Sequence, residues 1–275
     1  MSENQLSSIE PIHPPPGEVQ PLQTAPEQGQ RETVPWGLLD VLVVALVSFG
    51  ALLFSYVIAI AIFALTSGKP LDVSQVSSNP WVVVPPQAGG YVIAVGFVAL
   101  WLWLRYRVGF LTGIRWNQPS GRGVLNALGG GFALAIVFLL TSHWTDKWMP
   151  RNLPVEKLYS TTAGTYLLAA FGILIAPAVE EVFFRGLLYP ALARWTGVAA
   201  SVALTGGAFA MLHGPQLNWA WLPLIVIFGV GVTLTFVRAR TRSVATTVLM
   251  HMAYNGTIFL LLFIQTKGFT HLQNR

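Results

Sequence analysis

Residues 36–65 read WGLLDVLVVALVSFGALLFSYVIAIAIFAL, an apolar run of 30 positions that holds a single charged side chain, Asp40. An α-helix rises about 1.5 Å per residue, so about 20 apolar residues cross the hydrocarbon core of a bilayer. This run is therefore long enough to span a membrane. Asp40 lies near its start, where a carboxylate is close to the membrane surface. The stretch predicts a transmembrane helix.

Further apolar runs follow at 87–104, 123–141, 165–193, 198–213, 219–237 and 243–265, separated by short polar breaks. The second run is expected to begin just after Pro85 and Pro86, because proline is favoured at the first turn of a helix. Apolar residues make up 53% of the chain and charged residues only 10%, against about 25% charged in soluble domains. We therefore predict an all-α fold, a polytopic transmembrane bundle of about seven to eight helices.

The chain divides into three parts by composition. Residues 1–35 contain seven prolines, five glutamates and five glutamines without an aromatic residue, which predicts a disordered polar tail. Residues 36–265 form the predicted transmembrane bundle, with a catalytic region at about 120–265, and 266–275 form a short C-terminal tail.

Charge placement predicts the orientation and the partners. Lysine and arginine lie in short loops between apolar runs, an arrangement that fixes membrane topology, so nucleic-acid binding is not expected. The richest cytoplasmic cluster would be Arg105, Arg107, Arg115 and Arg122. We expect an integral protein of the plasma (inner) membrane, in contact with bilayer lipid, with a cytoplasmic N-terminus. The absence of cysteine excludes disulfides, thiolate metal sites and a cysteine nucleophile.

A few strongly polar side chains fall inside the later apolar runs, where such groups are costly and usually functional. They are Glu180, Glu181, Arg185, His213, His251 and Asn255. Helical spacing predicts a Glu181–Arg185 ion pair at i,i+4 and turns Glu180 about 100° away from it. Counting from the expected helix ends brings all three helices' polar residues to a similar depth. A purely structural ion-pair clamp is the competing interpretation.

Several known chemistries for cutting peptides in membranes lack their residues here. None of the 26 glycines has a serine two positions later, and no histidine is followed by glutamate as in H-E-x-x-H. The three aspartates do not lie deep in any apolar run. Glutamate combined with histidine remains. In addition, Pro177 frees the carbonyl of Ile173, which predicts a local kink beside the two glutamates.

Three short patterns in this order resemble the motifs of the CPBP family, the CAAX proteases and bacteriocin-processing enzymes. Glu180-Glu181-Val-Phe-Phe-Arg185 resembles E-E-x-x-x-R, Phe209-Ala-Met-Leu-His213 resembles F-x-x-x-H, and His251-Met-Ala-Tyr-Asn255 resembles H-x-x-x-N. Each pattern is weak alone, but all three in order on successive apolar runs are specific. The resemblance covers roughly residues 120–265 and leaves the first two spans outside.

The resemblance implies an intramembrane endopeptidase that hydrolyses a peptide bond of a membrane-associated protein, with prenylated CAAX-type proteins as one substrate class. Glu181, held by Arg185, would stay ionised, and Glu180 would act as general base. His213 would orient the water, while His251 and Asn255 would stabilise the oxyanion. In a second version, Zn²⁺ bound by Glu180, His213 and His251 would activate the water. The sequence leaves both versions open.

Two other functions also fit a polar cluster in a membrane. A proton-coupled transporter would place acids and histidines at mid-depth, but it would show inverted repeats, and the polar cluster here is confined to the second half. A non-catalytic bacteriocin-immunity or membrane partner protein could use the same scaffold. Substitutions at the six positions would distinguish this last case from an enzyme.

Overall fold

The computed structural model describes residues 33–68, 72–145, 153–159 and 161–271. Within these ranges every regular element is helical and no β-strand occurs. The first half contains α1 (Leu38–Ser67), α2 (Val73–Ser78), α3 (Pro80–Tyr106), α4 (Phe110–Gly113) and α5 (Gly121–Thr145). The second half contains α6 (Thr162–Ala170), α7 (Ala176–Glu181), α8 (Tyr189–Leu212), α9 (Trp221–Thr241) and α10 (Val244–Gln265). The predicted all-α class is confirmed.

Shorter helical pieces join these elements. Two π-helical segments, Phe171–Ile175 and Val182–Leu188, connect α6, α7 and α8 into one continuous helical stretch, Thr162–Leu212. Two 3₁₀ helices lie at Pro154–Tyr159 and Pro215–Leu217. By length and composition, six stretches among the described residues can cross a membrane, and this 51-residue stretch is one of them.

The long stretch contains two of the predicted runs, 165–193 and 198–213. Gly197 separates them with a backbone φ of 76° and ψ of 175°, which no right-handed helix contains. Glycine adopts positive φ without a steric penalty, so the chain can change direction there. When the parts before and after Gly197 are counted separately, the described residues contain seven apolar helical segments, in line with the predicted seven to eight helices.

The start of the second span differs from the expectation. We expected the helix to begin just after Pro85 and Pro86, but α3 begins at Pro80 and holds both prolines in its interior. The side chain of Asn79 accepts a hydrogen bond from the backbone N–H of Trp81 at 3.0 Å, which caps the helix about two turns earlier. The cap and Pro80 at the first helical position set the boundary, so the inner prolines do not.

Helices that carry the site pack closely at glycines. A Cβ on Gly131 of α5 would lie 2.2 Å from the carbonyl oxygen of Met250, so α5 and α10 approach each other backbone to backbone. A Cβ on Gly206 of α8 would lie 2.9 Å from the backbone nitrogen of Val232 in α9. Small residues at such crossings are the usual basis of helix association in membranes.

The two ends of the described chain pack onto the bundle. Residues 1–32 of the predicted N-terminal tail lie outside the described residues. Trp36 is buried, and its indole N–H donates to the carbonyl of Leu187 at 3.3 Å. At the other end, Phe269 of the predicted C-terminal tail is buried, with its ring 5.1 Å from that of Tyr166, while residues 272–275 lie outside the described residues.

Candidate active site

The two adjacent glutamates are the last residues of α7, a six-residue α-helix between two π-helical segments. Pro177 has no N–H for the carbonyl of Ile173, and the helix before it widens so that the Ala176 N–H bonds to Phe171 five residues back. A second π-helical segment, Val182–Leu188, follows Glu181 directly. Such π-turns are rare and often occur at functional sites. The structure thus shows a π-helical widening where a local kink was predicted.

Arg185 forms the predicted i,i+4 ion pair with Glu181, with 2.7 Å between Nη1 and Oε1 and no solvent exposure of either side chain. The guanidinium also donates from Nη2 to the carbonyl of Gly231 at 2.9 Å and from Nε to Oγ1 of Thr235 at 3.2 Å. Helix α9 therefore fixes the arginine, and the arginine fixes the carboxylate. A buried charge pair needs such additional hydrogen bonds to offset the loss of hydration.

His251 of α10 lies between the two carboxylates. Its Nδ1 is 2.9 Å from Oε1 of Glu181, and its Nε2 is 3.9 Å from Oε2 of Glu180. Because the Glu181 carboxylate can only accept, Nδ1 donates to it, and this bond orients the imidazole. Oε2 of Glu181 has no hydrogen-bond partner within standard geometry among the described residues. The pair of bonds to one oxygen makes Glu181 the structural centre of the cluster.

Glu180 lines an apolar groove of about 450 Å³, and its Oε2 lies 3.9 Å from Nε2 of His251. Its side chain is 13% exposed, whereas that of Glu181 is fully buried. The other lining residues come from α1, α3, the α7–α8 region and α8: Ala45, Leu46, Ser48, Phe49, Leu52, Tyr91, Ala94, Val95, Val98, Val179, Val182, Phe183, Phe184, Leu188, Ala208 and Leu212. Glu181 is therefore held in a buried ion pair, whereas the Glu180 carboxylate lines an apolar groove.

His213 lies at the end of α8, and no direct bond joins it to either carboxylate among the described residues. Its Nδ1 is 2.8 Å from the carbonyl of Phe209, so Nδ1 carries the proton and Nε2 is left as an acceptor in the neutral ring. The Phe209 ring connects the cluster, with its centroid 4.7 Å from the ring of His213, 5.8 Å from that of His251 and 4.7 Å from the guanidinium carbon of Arg185.

Asn255 lies one turn beyond His251 on α10. Its Nδ2 donates to the carbonyl of Gly172 at 2.6 Å, within the first π-helical segment. This bond uses one of the two amide N–H groups and leaves the other available. Direct contacts thus join four of the six predicted residues, Glu180, Glu181, Arg185 and His251, whereas His213 and Asn255 bond to backbone carbonyls nearby.

The possible metal ligands of the cluster are spread apart in this conformation. Among the described residues, no three histidine, cysteine, aspartate or glutamate side chains lie close enough together to hold one ion. The trio suggested as zinc ligands, Glu180, His213 and His251, is not gathered around one point. Both histidines use Nδ1 in bonds to other groups, which leaves Nε2 of each ring as the atom that could bind a metal. Zinc binding remains a prediction.

Sequence reasoning missed the groups that hold Arg185 and those that form the groove. Thr235 and Gly231 are an ordinary hydroxyl and an ordinary carbonyl in an apolar run, and no motif marks them. Helices α1 and α3 lie outside the motif-bearing half, yet they form one wall of the groove. In α3, the i,i+4 spacing of Gln87 and Tyr91 was a sequence signal that these two polar side chains face the same way.

Part of the chain is similar in sequence to known proteins. Residues 162–257 match the family model described as Type II CAAX prenyl endopeptidase Rce1-like. The uncharacterized protein YyaK of Bacillus subtilis (strain 168) is 35% identical over 112 residues, 38% of this chain, and the matched region spans only 36% of that relative's length. No solved structure matches the chain. The matched region contains all six predicted site residues, is consistent with the CPBP family and supports a membrane protease kind of function.

Proposed function

We propose, from the premise that residues 162–257 form an Rce1-like domain, that this membrane protein is a glutamate-dependent intramembrane endopeptidase. Its substrate would be a membrane-associated protein whose segment enters the apolar groove beside Glu180. Prenylated CAAX-type proteins are one substrate class to test, because the matched family description names prenyl endopeptidases.

The observation that carries the proposal is the difference in environment between the neighbouring carboxylates of Glu180 and Glu181. Glu181 is fully buried and bonded to Arg185 and His251, so it cannot exchange protons with a substrate without breaking the cluster. Glu180 makes no bond to Arg185 and lines the groove. A general base needs a carboxylate that is positioned but not consumed by an ion pair, and only Glu180 of the two meets that requirement.

In the proposed reaction, a water held between Glu180 and Nε2 of His213 attacks the carbonyl carbon of the scissile peptide bond. Glu180 takes one proton from the water, and the carbonyl becomes a tetrahedral oxyanion. The protonated Glu180 then gives that proton to the leaving nitrogen as the C–N bond breaks. The products are a carboxylic acid and an amine, and Glu180 returns to its ionised form.

His251 and Asn255 are suited to stabilise the oxyanion. A proton on Nε2 of His251, added to the proton that bonds Glu181, would bring the charges of Glu180, Glu181, Arg185 and His251 to a sum of zero. The free N–H of Asn255 lies on the same face of α10, one turn away. Donors that are fixed in place in a dry site are more effective than those of water, because they need no reorganisation.

The test is cleavage of a labelled membrane-peptide library, with and without prenylated members, by purified protein in lipid nanodiscs. Wild-type protein is expected to cleave a subset, whereas Glu180→Ala and His213→Ala are expected to lose cleavage while remaining in the membrane. Glu156→Ala, in the 3₁₀ helix Pro154–Tyr159, is the matched control and should cleave normally.

Cleavage that survives both Glu180→Ala and His213→Ala would contradict the proposal. Absence of cleavage by the wild type, combined with an unchanged cellular effect of all site variants, would favour a non-catalytic immunity or partner protein. Proton uptake coupled to solute transport in the same nanodiscs would favour a transporter.

A further inference from the structure

Tyr91 lies on α3, outside the Rce1-like region, and lines the same groove as Glu180. Its ring stacks on Phe171, with 5.7 Å between centroids and 30° between planes. Its hydroxyl oxygen accepts a hydrogen bond from Nε2 of Gln87 at 3.2 Å. Two neighbouring side chains therefore hold this phenol on the wall of the groove.

The hydroxyl of Tyr91 has one proton to donate and lone pairs to accept with. The bond from Gln87 uses a lone pair of the Tyr91 hydroxyl oxygen and does not use the hydroxyl proton. Among the described residues, the hydrogen bond found at this hydroxyl is the one from Gln87, and the hydroxyl donates to none of them. The groove thus contains a fixed donor on one wall and the proposed base on another.

A substrate segment needs such a donor. To expose a peptide bond to water, the segment must leave its helical hydrogen bonding, and each freed carbonyl in an apolar space is then strongly unfavourable if it stays unpaired. The polar side chains that line the groove are Glu180, Ser48 and Tyr91. An ionised Glu180 can only accept, so the hydroxyls supply the donors, and the Tyr91 hydroxyl is the one held by stacking and by Gln87.

We infer that Tyr91 is a substrate-binding residue whose hydroxyl donates a hydrogen bond to a backbone carbonyl of the unwound substrate segment opposite Glu180. The inference rests on the proposed function and extends the site to α3, a helix that the family resemblance does not reach. It assigns to the first half of the chain a role in holding the substrate, separate from the bond-breaking groups.

The test uses Tyr91→Phe, which keeps the ring and its stacking on Phe171 and removes only the hydroxyl. With the best-cleaved library peptide, KM is expected to rise about five- to tenfold with little change in kcat, the size expected for one neutral hydrogen bond made equally in ground and transition states. Binding of the same peptide to the Glu180→Gln protein should weaken by a similar factor when Tyr91→Phe is added. Tyr166→Phe, on α6 against Phe263 and Phe269, is the matched control and should change neither value.

Replacing successive peptide bonds of the substrate by esters gives a second readout that a loss of folding cannot imitate. An ester carbonyl is a poorer acceptor, so at one position the ester should weaken binding to the wild type and leave the Tyr91→Phe protein unaffected. Unchanged KM and unchanged binding in Tyr91→Phe would overturn the inference. So would ester effects that are equal in both proteins at every position. Failure of the wild type to cleave any peptide would instead overturn the proposed function itself.

Discussion

His251 is bonded to Glu181 through a 2.9 Å contact between Nδ1 and Oε1, and that same carboxylate oxygen accepts from Arg185 at 2.7 Å. One oxygen therefore joins α7 and the π-helical turn after it to α10, and Arg185 extends the network to α9 through Gly231 and Thr235. The network fixes the position of the His251 ring, whose Nε2 lies 3.9 Å from Glu180. A buried structural pair thus positions the group that faces the proposed base.

The two glutamates should respond differently to the same conservative change. Glu180→Gln is expected to abolish cleavage and to alter the free energy of unfolding by less than about 1 kcal/mol, because the closest charged contact of Glu180 is a 3.9 Å separation from Nε2 of His251, longer than a hydrogen bond. Glu181→Gln should destabilise the protein by about 3–5 kcal/mol, because it leaves the fully buried Arg185 uncompensated. Thermal unfolding in detergent and cleavage assays on both variants measure the difference. Equal loss of stability in the two would refute the assigned roles.

Arginine and lysine are not expected to be interchangeable at position 185. Arg185 bonds Glu181, Gly231 and Thr235 at once through its planar fork, and a single ammonium group cannot reach all three. Arg185→Lys should therefore lower the free energy of unfolding by about 2–3 kcal/mol, through buried acceptors left unpaired. Arg240→Lys, an exposed arginine at the end of α9, is the control and should leave the melting temperature unchanged. A lysine variant as stable as wild type would show that the fork geometry is unimportant.

Two nearby glycines on α5 give a matched pair for the helix crossing. Gly131→Ala would place a Cβ 2.2 Å from the Met250 carbonyl, so α5 and α10 must separate, at a cost of about 1–3 kcal/mol. A Cβ at Gly129 meets nothing within 4 Å, and Gly129→Ala should be neutral or stabilising by up to about 1 kcal/mol. Because Met250 precedes His251, Gly131→Ala is also expected to reduce cleavage. Melting curves for both variants test the packing, and a harmless Gly131→Ala would contradict the close approach.

Chelation should leave the proposed activity unchanged. The described residues contain no group of three potential ligands close enough to hold an ion in this conformation. Cleavage is expected to survive dialysis against a zinc chelator to within about twofold, with metal content measured in the same samples. Loss of cleavage that is restored by added Zn²⁺ would show that the site rearranges to bind the metal.

Much of the membrane architecture follows from local sequence properties. Long apolar runs with few charges have no stable place in water, so composition and length suffice to predict helices across a membrane. The Glu181–Arg185 pair was also predictable from local sequence, because i,i+4 geometry is a property of one helix. The start of α3 was predicted wrongly, since the cap provided by Asn79 outweighed the signal of Pro85 and Pro86.

By itself, the sequence determined the all-helical membrane bundle, the ion pair within one helix and the short set of polar residues that the apolar runs contain. Only the tertiary structure decided which groups those residues meet: that His251 bonds Glu181, that Gly231 and Thr235 hold Arg185, and that Glu180 shares an apolar groove with Tyr91. The reason is physical. Helical periodicity fixes which way a side chain points from its own helix, but its partners depend on how the helices cross, and that is set by close approaches at residues such as Gly131 and Gly206.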